Sequence, residues 1–183
     1  MKKLITAIFL SLLINNPASA VLVKGDNAPD FAVPTSDDVD VDTTSLSLYR
    51  LLSQGPVVLY FIPTVDSTAC SSNLRMLSDS SHDFDEFHTK ILAIPVFTSE
   101  IVEGALLNDC ESPIRIVPDP ESMISRAYDV MMDQDLSTVN GVSFVISPQT
   151  EIVHVYSSTD LNEHISESLE AVQAWTQLVG QEY

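Results

Sequence analysis

The sequence predicts an α/β sandwich in which a mixed central sheet is flanked by helices. Three observations carry this. Apolar runs at 57–62 and 91–97 read as strands, the first of them with the composition of a strand buried on both faces. Segments with helical spacing of apolar residues lie between and after them. Towards the carboxyl end, two short strand-like runs flank Ser147-Pro148-Gln149-Thr150, so a hairpin precedes a last helix.

Taken in order, residues 25–44 read as irregular and polar, with Pro29 and Pro34. Asp38, Asp40 and Asp42 alternate there as in a calcium loop. The Gly and Glu that such a loop needs do not follow, so a solvated acidic loop is expected and no metal. Residues 45–53 read as a short helix, with Leu46, Leu48, Leu51 and Leu52 apolar and Gly55-Pro56 ending it. A strand at 57–62 follows. A helix capped by Ser67 or Thr68 then runs towards His88, with Leu74, Leu77, Phe84 and Phe87 on one face. Pro95 places an irregular end in the strand at 91–97, since proline donates no ladder hydrogen bond. Residues 99–109 read as a short helix, 113–117 as a strand closed by Pro118-Asp119-Pro120, and 121–128 as another short helix. Strands at 143–146 and 151–156 form the hairpin. Leu161, Ile165, Leu169, Val172 and Trp175 mark the inner face of a long terminal helix, with Trp175 expected in the core.

The segment 1–20 reads as a secretory signal peptide. Lys2-Lys3 is the basic start, the run from Leu4 to Ile14 is apolar, and Ala18-Ser19-Ala20 supplies the small residues of a cleavage site. The expected mature chain, 21–183, is a single domain in the periplasm or secreted. The formal net charge is −18; without Lys2 and Lys3, six Lys and Arg face 26 Asp and Glu, a net −20. Such a surface repels nucleic acid and anionic lipid, so neither a nucleic-acid partner nor a membrane is expected after cleavage. Five glycines and no Ser–His–Asp pattern argue against a phosphate-binding loop and a serine hydrolase. His82, His88, His154 and His164 have no metal-ligand spacing with the cysteines, so structural or surface roles are expected and no cofactor.

Chemistry concentrates at Cys70. It follows the apolar run 57–62 and the turn Pro63-Thr64-Val65-Asp66-Ser67-Thr68-Ala69, and it precedes a helical pattern. A thiol at a helix start meets unpaired N–H groups and the positive end of the helix dipole, which favour the nucleophilic thiolate. The second cysteine, Cys110, lies well downstream. In an exported chain the two are equally candidates for a structural disulfide, which would stabilise by about 4 kcal/mol in the chain-entropy model.

The spacing of Pro63, Ser67 and Cys70 resembles the Pro-x-x-x-Thr/Ser-x-x-Cys motif of the peroxiredoxin family. The resemblance extends to Gly25-Asp26-Asn27-Ala28-Pro29-Asp30-Phe31, which looks like the family's entry segment. It extends also to Val142-Ser143-Phe144-Val145-Ile146, which looks like its late strand. It implies a thioredoxin-like fold and a thiol peroxidase acting on hydrogen peroxide or organic hydroperoxides. Cys70 would be the peroxidatic thiol, Ser67 would hold the peroxide, Pro63 would shield the thiolate, and Cys110 would be the resolving thiol. A thiol reductant such as a thioredoxin-like protein is the implied electron donor. The peroxiredoxin Q type (the bacterioferritin-comigratory group) places the resolving cysteine either five positions after the first, where this chain has Arg75, or on a later helix, which suits Cys110.

The chain departs from the family at two places. The family's usual Arg three positions before the late-strand Phe is here Gly141, and an acidic residue often found three after the nucleophile is here Asn73. A fixed cation lowers a thiol pKa and polarises a peroxide, so Arg75, Arg115 and Arg126, and more weakly Arg50, are candidates to replace it in space. Two other readings stay open. One is a catalytically degenerate domain with a binding or structural role. The other is a thiol–disulfide oxidoreductase, although the Cys-x-x-Cys pair of such proteins is absent because Ser67 stands where the first cysteine would be.

Overall fold

The computed structural model describes residues 22–34, 45–62, 72–96, 114–119, 121–130 and 140–179. Among these the elements run β1 (Ala32–Pro34), β2 (Ser45–Ser47), α1 (Leu48–Leu52), β3 (Val57–Ile62), α2 (Ser72–Asp85), β4 (Lys90–Pro95), β5 (Arg115–Ile116), α3 (Met123–Ala127), β6 (Gly141–Ile146), β7 (Ile152–Ser158) and α4 (Leu161–Val179). Five strands make the mixed sheet, ordered β5-β4-β3-β6-β7. β3, β4 and β5 are parallel, and β6 and β7 run antiparallel to their neighbours. The expected α/β sandwich is therefore present.

β3 explains the layering. All six of its residues are buried, as its unbroken apolar run requires of a central strand covered on both faces. Side chains alternate across the sheet, so Val57, Leu59 and Phe61 join one core with Leu48 and Leu52 of α1 and Ile124 near Tyr128 of the α3 turn. Val58, Tyr60 and Ile62 join the other with Leu74 and Leu77 of α2 and Leu161 and Val172 of α4.

Two expectations need correction. Residues 45–47 are a strand, not the start of a helix. Leu46 alone is buried between Ser45 and Ser47, a period of two, and the strand pairs with β1 in the segment expected to be irregular. The helix is confined to α1, and Ser47 is its N-cap, its hydroxyl accepting from the N–H of Arg50 at 3.3 Å. Gly55 does end this region as expected. A Cβ built there would collide with the carbonyl of His88, leaving no room for a side chain, and His88 itself turns the chain after α2 at φ 53°.

Elsewhere the described elements match expectation with shifted bounds. β4 ends on Pro95, opposite Ile62. The third strand shrinks to two residues. Asp119, expected only to close that strand, is buried, and its carboxylate accepts from the N–H of Ile124 at 3.0 Å, the N–H of Ser125 at 2.8 Å and the Ser125 hydroxyl at 2.7 Å. It thereby satisfies backbone donors that a helix start leaves without partners. The hairpin turn at 147–150 is closed by the N–H of Thr150 donating to the Ser147 carbonyl at 2.9 Å. The expected leader at 1–20, the acidic loop at 35–44 and the helix at 99–109 lie outside the described residues, and no described helix is long and apolar enough to cross a membrane.

Candidate functional site

The residues singled out for chemistry, Pro63, Ser67, Cys70 and Cys110, lie outside the described residues. Chain order still fixes what flanks them. Pro63, Ser67 and Cys70 follow Ile62, the last residue of the central strand, and precede α2; Cys110 falls between β4 and β5. In open α/β sheets the carboxyl ends of parallel strands are where loops carry function.

That end of the sheet is well defined. Ile62 of β3 pairs with Pro95 of β4, Phe61 pairs with Val142 of β6, and Gly141 pairs with Ser158 at the end of β7. α2 is pinned against this frame by Leu74, Leu77 and Phe84, each nearly fully buried, which are three of the four residues expected on its inner face; Phe87 is half-buried.

Gly141 is the informative position. A Cβ built there would stand 2.9 Å from the Tyr60 hydroxyl and 3.2 Å from Nε2 of His164. The space beside position 141 is therefore already taken, and an Arg could enter only by displacing two buried rings. The four arginines named as replacements, Arg50, Arg75, Arg115 and Arg126, are all exposed, and none of them occupies the space beside Gly141. Arg115 sits on the edge strand β5 opposite Leu92, and Leu92 pairs with Leu59, so β4 and β3 both separate it from β6.

Tyr60 and His164 belong to a buried polar cluster on the α2/α4 face. The two rings lie 4.9 Å apart, and Tyr156 meets His164 edge-on at 5.2 Å. Nε2 of His164 is 3.0 Å from the carbonyl of Ser158, which can only accept, so Nε2 carries the proton. Nδ1 then accepts from the hydroxyl of Ser143 at 3.0 Å, and the Ser168 hydroxyl donates to Ser143 at 3.5 Å. Burial pushes the Tyr60 phenol up to about 12. Burial also pulls the His164 imidazole below its usual value, against the upward effects of the Ser158 carbonyl, Glu163 and Asp160. Ser143 and His164 form a hydroxyl–imidazole pair that no sequence spacing suggested. Both are almost fully buried, which denies a substrate access to it.

The signals for this cluster were in the chain but read as apolar pattern. Tyr60 interrupts an aliphatic run with a hydroxyl, and His164 lies within the face of α4 assigned to Leu161, Ile165 and Leu169. The deepest residues of that face are Leu161, His164, Ser168 and Val172, while Ile165, Leu169 and Trp175 are half-buried. The helix is rotated towards its polar residues because Ser143 and Ser158 offer them partners. Among the described residues no group of three His, Cys, Asp or Glu is placed to hold a metal ion.

A family model described as the AhpC/TSA family matches residues 24–155. The chain is 26% identical over 160 residues to the chloroplastic 2-Cys peroxiredoxin BAS1 of Hordeum vulgare, covering 82% of this chain and 73% of that protein. Its fold matches peroxidoxin BcpB of Mycobacterium tuberculosis with a TM-score of 0.63 at 22% identity, over 84% of this chain and 97% of that one. It matches a yeast mitochondrial 1-Cys peroxiredoxin with a TM-score of 0.66 at 21% identity, over 88% and 79%. The sandwich is thus of the thioredoxin-like, peroxiredoxin type.

Proposed function

Because this chain belongs to the AhpC/TSA family, a peroxiredoxin family, we propose that it is a thiol peroxidase in which Cys70 reduces hydrogen peroxide or an organic hydroperoxide. The observation that carries this is the family match across residues 24–155, which contains the Pro63, Ser67 and Cys70 motif directly after the central strand. The Cys70 thiolate attacks one peroxide oxygen. The S–O bond forms as the O–O bond breaks, sulfur loses two electrons, and the leaving oxygen takes a proton to become water or an alcohol. The sulfenic acid then condenses with the Cys110 thiol, forming the disulfide and releasing water. A dithiol of a thioredoxin-like protein returns both cysteines to thiols. Ser67 orients the peroxide and Pro63 shields the thiolate.

The mature protein, beginning at Val21, works in the periplasm or outside the cell, as its leader-like segment 1–20 supports. Intact mass of protein from its native host should start at Val21; a product retaining Met1 removes this placement.

The test of the chemistry is peroxide consumption by wild type, Cys70→Ser and Cys110→Ser, with mass spectrometry after one equivalent of peroxide. Wild type should consume peroxide and gain a Cys70–Cys110 bond. Cys70→Ser should be inert, and Cys110→Ser should stop at a sulfenic acid. A second reading, a domain that binds a partner without peroxidase activity, is favoured by the crowding at Gly141, which leaves no room for a cation there. It prevails if wild-type Cys70 consumes no peroxide and alkylates with an unshifted pH profile near 8.5, about that of a free thiol.

A further inference from the structure

The buried cluster around His164 plays no part in the proposed peroxidase chemistry, and its hydrogen bonds as they stand run in the direction that a neutral imidazole sets. We propose that His164 is a proton-operated latch that fastens the amino-terminal half of α4 to the ends of β6 and β7 and releases it when the imidazole is protonated.

The geometry sets the direction of every bond. Ser168 of α4 donates to Ser143 of β6, Ser143 donates to Nδ1 of His164, and Nε2 donates to the carbonyl of Ser158, the last residue of β7. One imidazole therefore ties one helix to two strands: the Ser143 and Ser168 bonds in their present direction depend on Nδ1 being an acceptor, while the Nε2 bond to Ser158 is open to either protonation state. A proton on Nδ1 turns it into a donor facing the Ser143 hydroxyl, so the Ser143 and Ser168 hydrogens must both be redirected inside a region where Ser143, His164 and Ser168 are 2% exposed or less. The new charge would lie away from water, which is costly unless it is paired.

The groups that face the imidazole decide the balance. From α4 and the turn before it, the carboxylates of Glu163 and Asp160 favour the proton. Glu163 is, however, already engaged by the Tyr156 hydroxyl at 2.8 Å and the Ser158 hydroxyl at 2.6 Å. From β3 comes the Tyr60 ring and from β7 the Tyr156 ring, both uncharged below pH 10. The small void beside His164 is lined from α2 by Leu77 and Phe84 and from β4 by Ile91, none of which titrates. Loss of water outweighs the two carboxylates, and the folded protein favours the neutral ring.

The sign follows. An imidazole whose folded pKa lies below its unfolded value near 6.5 contributes stability that is present at and above about pH 6.5. That stability is lost as pH falls towards the folded pKa. Over that window the opening equilibrium of the latch should rise by up to about tenfold per pH unit. The latch does not depend on Cys70 chemistry, so its failure leaves the peroxidase reading untouched.

The test uses the full mature chain. Hydrogen exchange at pH 7.5 and pH 5, corrected for intrinsic rates, should show protection lost at pH 5 in 142–144, 156–158 and 164–168, with β4 unchanged. An NMR titration should place the His164 imidazole below 6.5. The His164→Gln variant, which keeps an amide donor for Ser158 and cannot be protonated, should show no such pH-dependent loss. An imidazole titrating at or above 6.5, or the same loss of protection in His164→Gln, overturns the proposal. If that variant does not fold, the wild-type titration decides alone.

Discussion

The two faces of the central sheet are built on different rules. On the α1/α3 face, Phe61, Tyr128 and Phe144 form a triangle of rings with centroids 5.5, 5.8 and 5.2 Å apart, two of the contacts edge-on, surrounded by aliphatic side chains. Its polar tip, the Tyr128 hydroxyl, donates to the Pro29 carbonyl at 2.8 Å. On the α2/α4 face, the corresponding centre is Tyr60, Ser143, His164 and Ser168, in which hydrogen bonds are buried with the rings. The centre of the first face is held by area and shape, whose worth changes little with pH, while the start of α3 at its margin is held by the buried Asp119 carboxylate. The centre of the second is held by direction and protonation, so it responds to conditions that leave the centre of the first indifferent.

The sharpest way to test this contrast is to remove the centre of the apolar face. Phe144→Ala should cost about 3–5 kcal/mol, read as a fall in the urea midpoint, with nearly the same loss at pH 5 and pH 7.5. A strong pH dependence of that loss would break the comparison. On the polar face the next largest effect should come from adding rather than removing volume. Gly141→Ala forces a methyl against the Tyr60 hydroxyl and His164 and should cost about 1–3 kcal/mol. Tyr60→Phe deletes the nearest atom, so the double variant should lose less than the two single variants summed. Strict additivity in that cycle would show that the two positions do not compete for space. The smallest effect should be Tyr128→Phe, which keeps the ring triangle and drops one hydrogen bond to Pro29, at about 1 kcal/mol by the same denaturation measurement.

The contrast also explains what sequence made legible. Val57–Ile62 and the alternation across it were readable because an unbroken apolar run has few other uses. The hairpin was readable because Ser147-Pro148-Gln149-Thr150 is turn chemistry. β1 and β2 were not, because three-residue strands offer one buried position each at most and Leu46 fits a helix pattern equally well. The motif of Pro63, Ser67 and Cys70 was readable as spacing, and chain order puts it directly after the central strand. The reason for Gly141 was not readable. It lies in contacts with Tyr60, far earlier in the chain, and with His164, well after it. Pattern along the chain carries no information about which side chains share a space.

The two margins of the sheet differ in how much open edge they offer to a foreign strand. An edge strand is a template on which a foreign strand can grow. β5 offers only two residues of template. At the other margin, the start of β7 is occupied by the chain's own entry segment: Gly25 N–H donates to the Ile152 carbonyl at 2.8 Å, and Ile152 N–H to the Asp26 carbonyl at 2.8 Å. Ala28 N–H also donates to the Thr150 carbonyl, and Asn27 bridges Glu151. The family-like entry segment thus acts as a selvedge, closing part of the one long edge to further weaving, while a formal charge of −18 pushes like copies apart. Shortening the chain past Ala28 would expose that seam, and the expected result is not unfolding at first but loss of solubility.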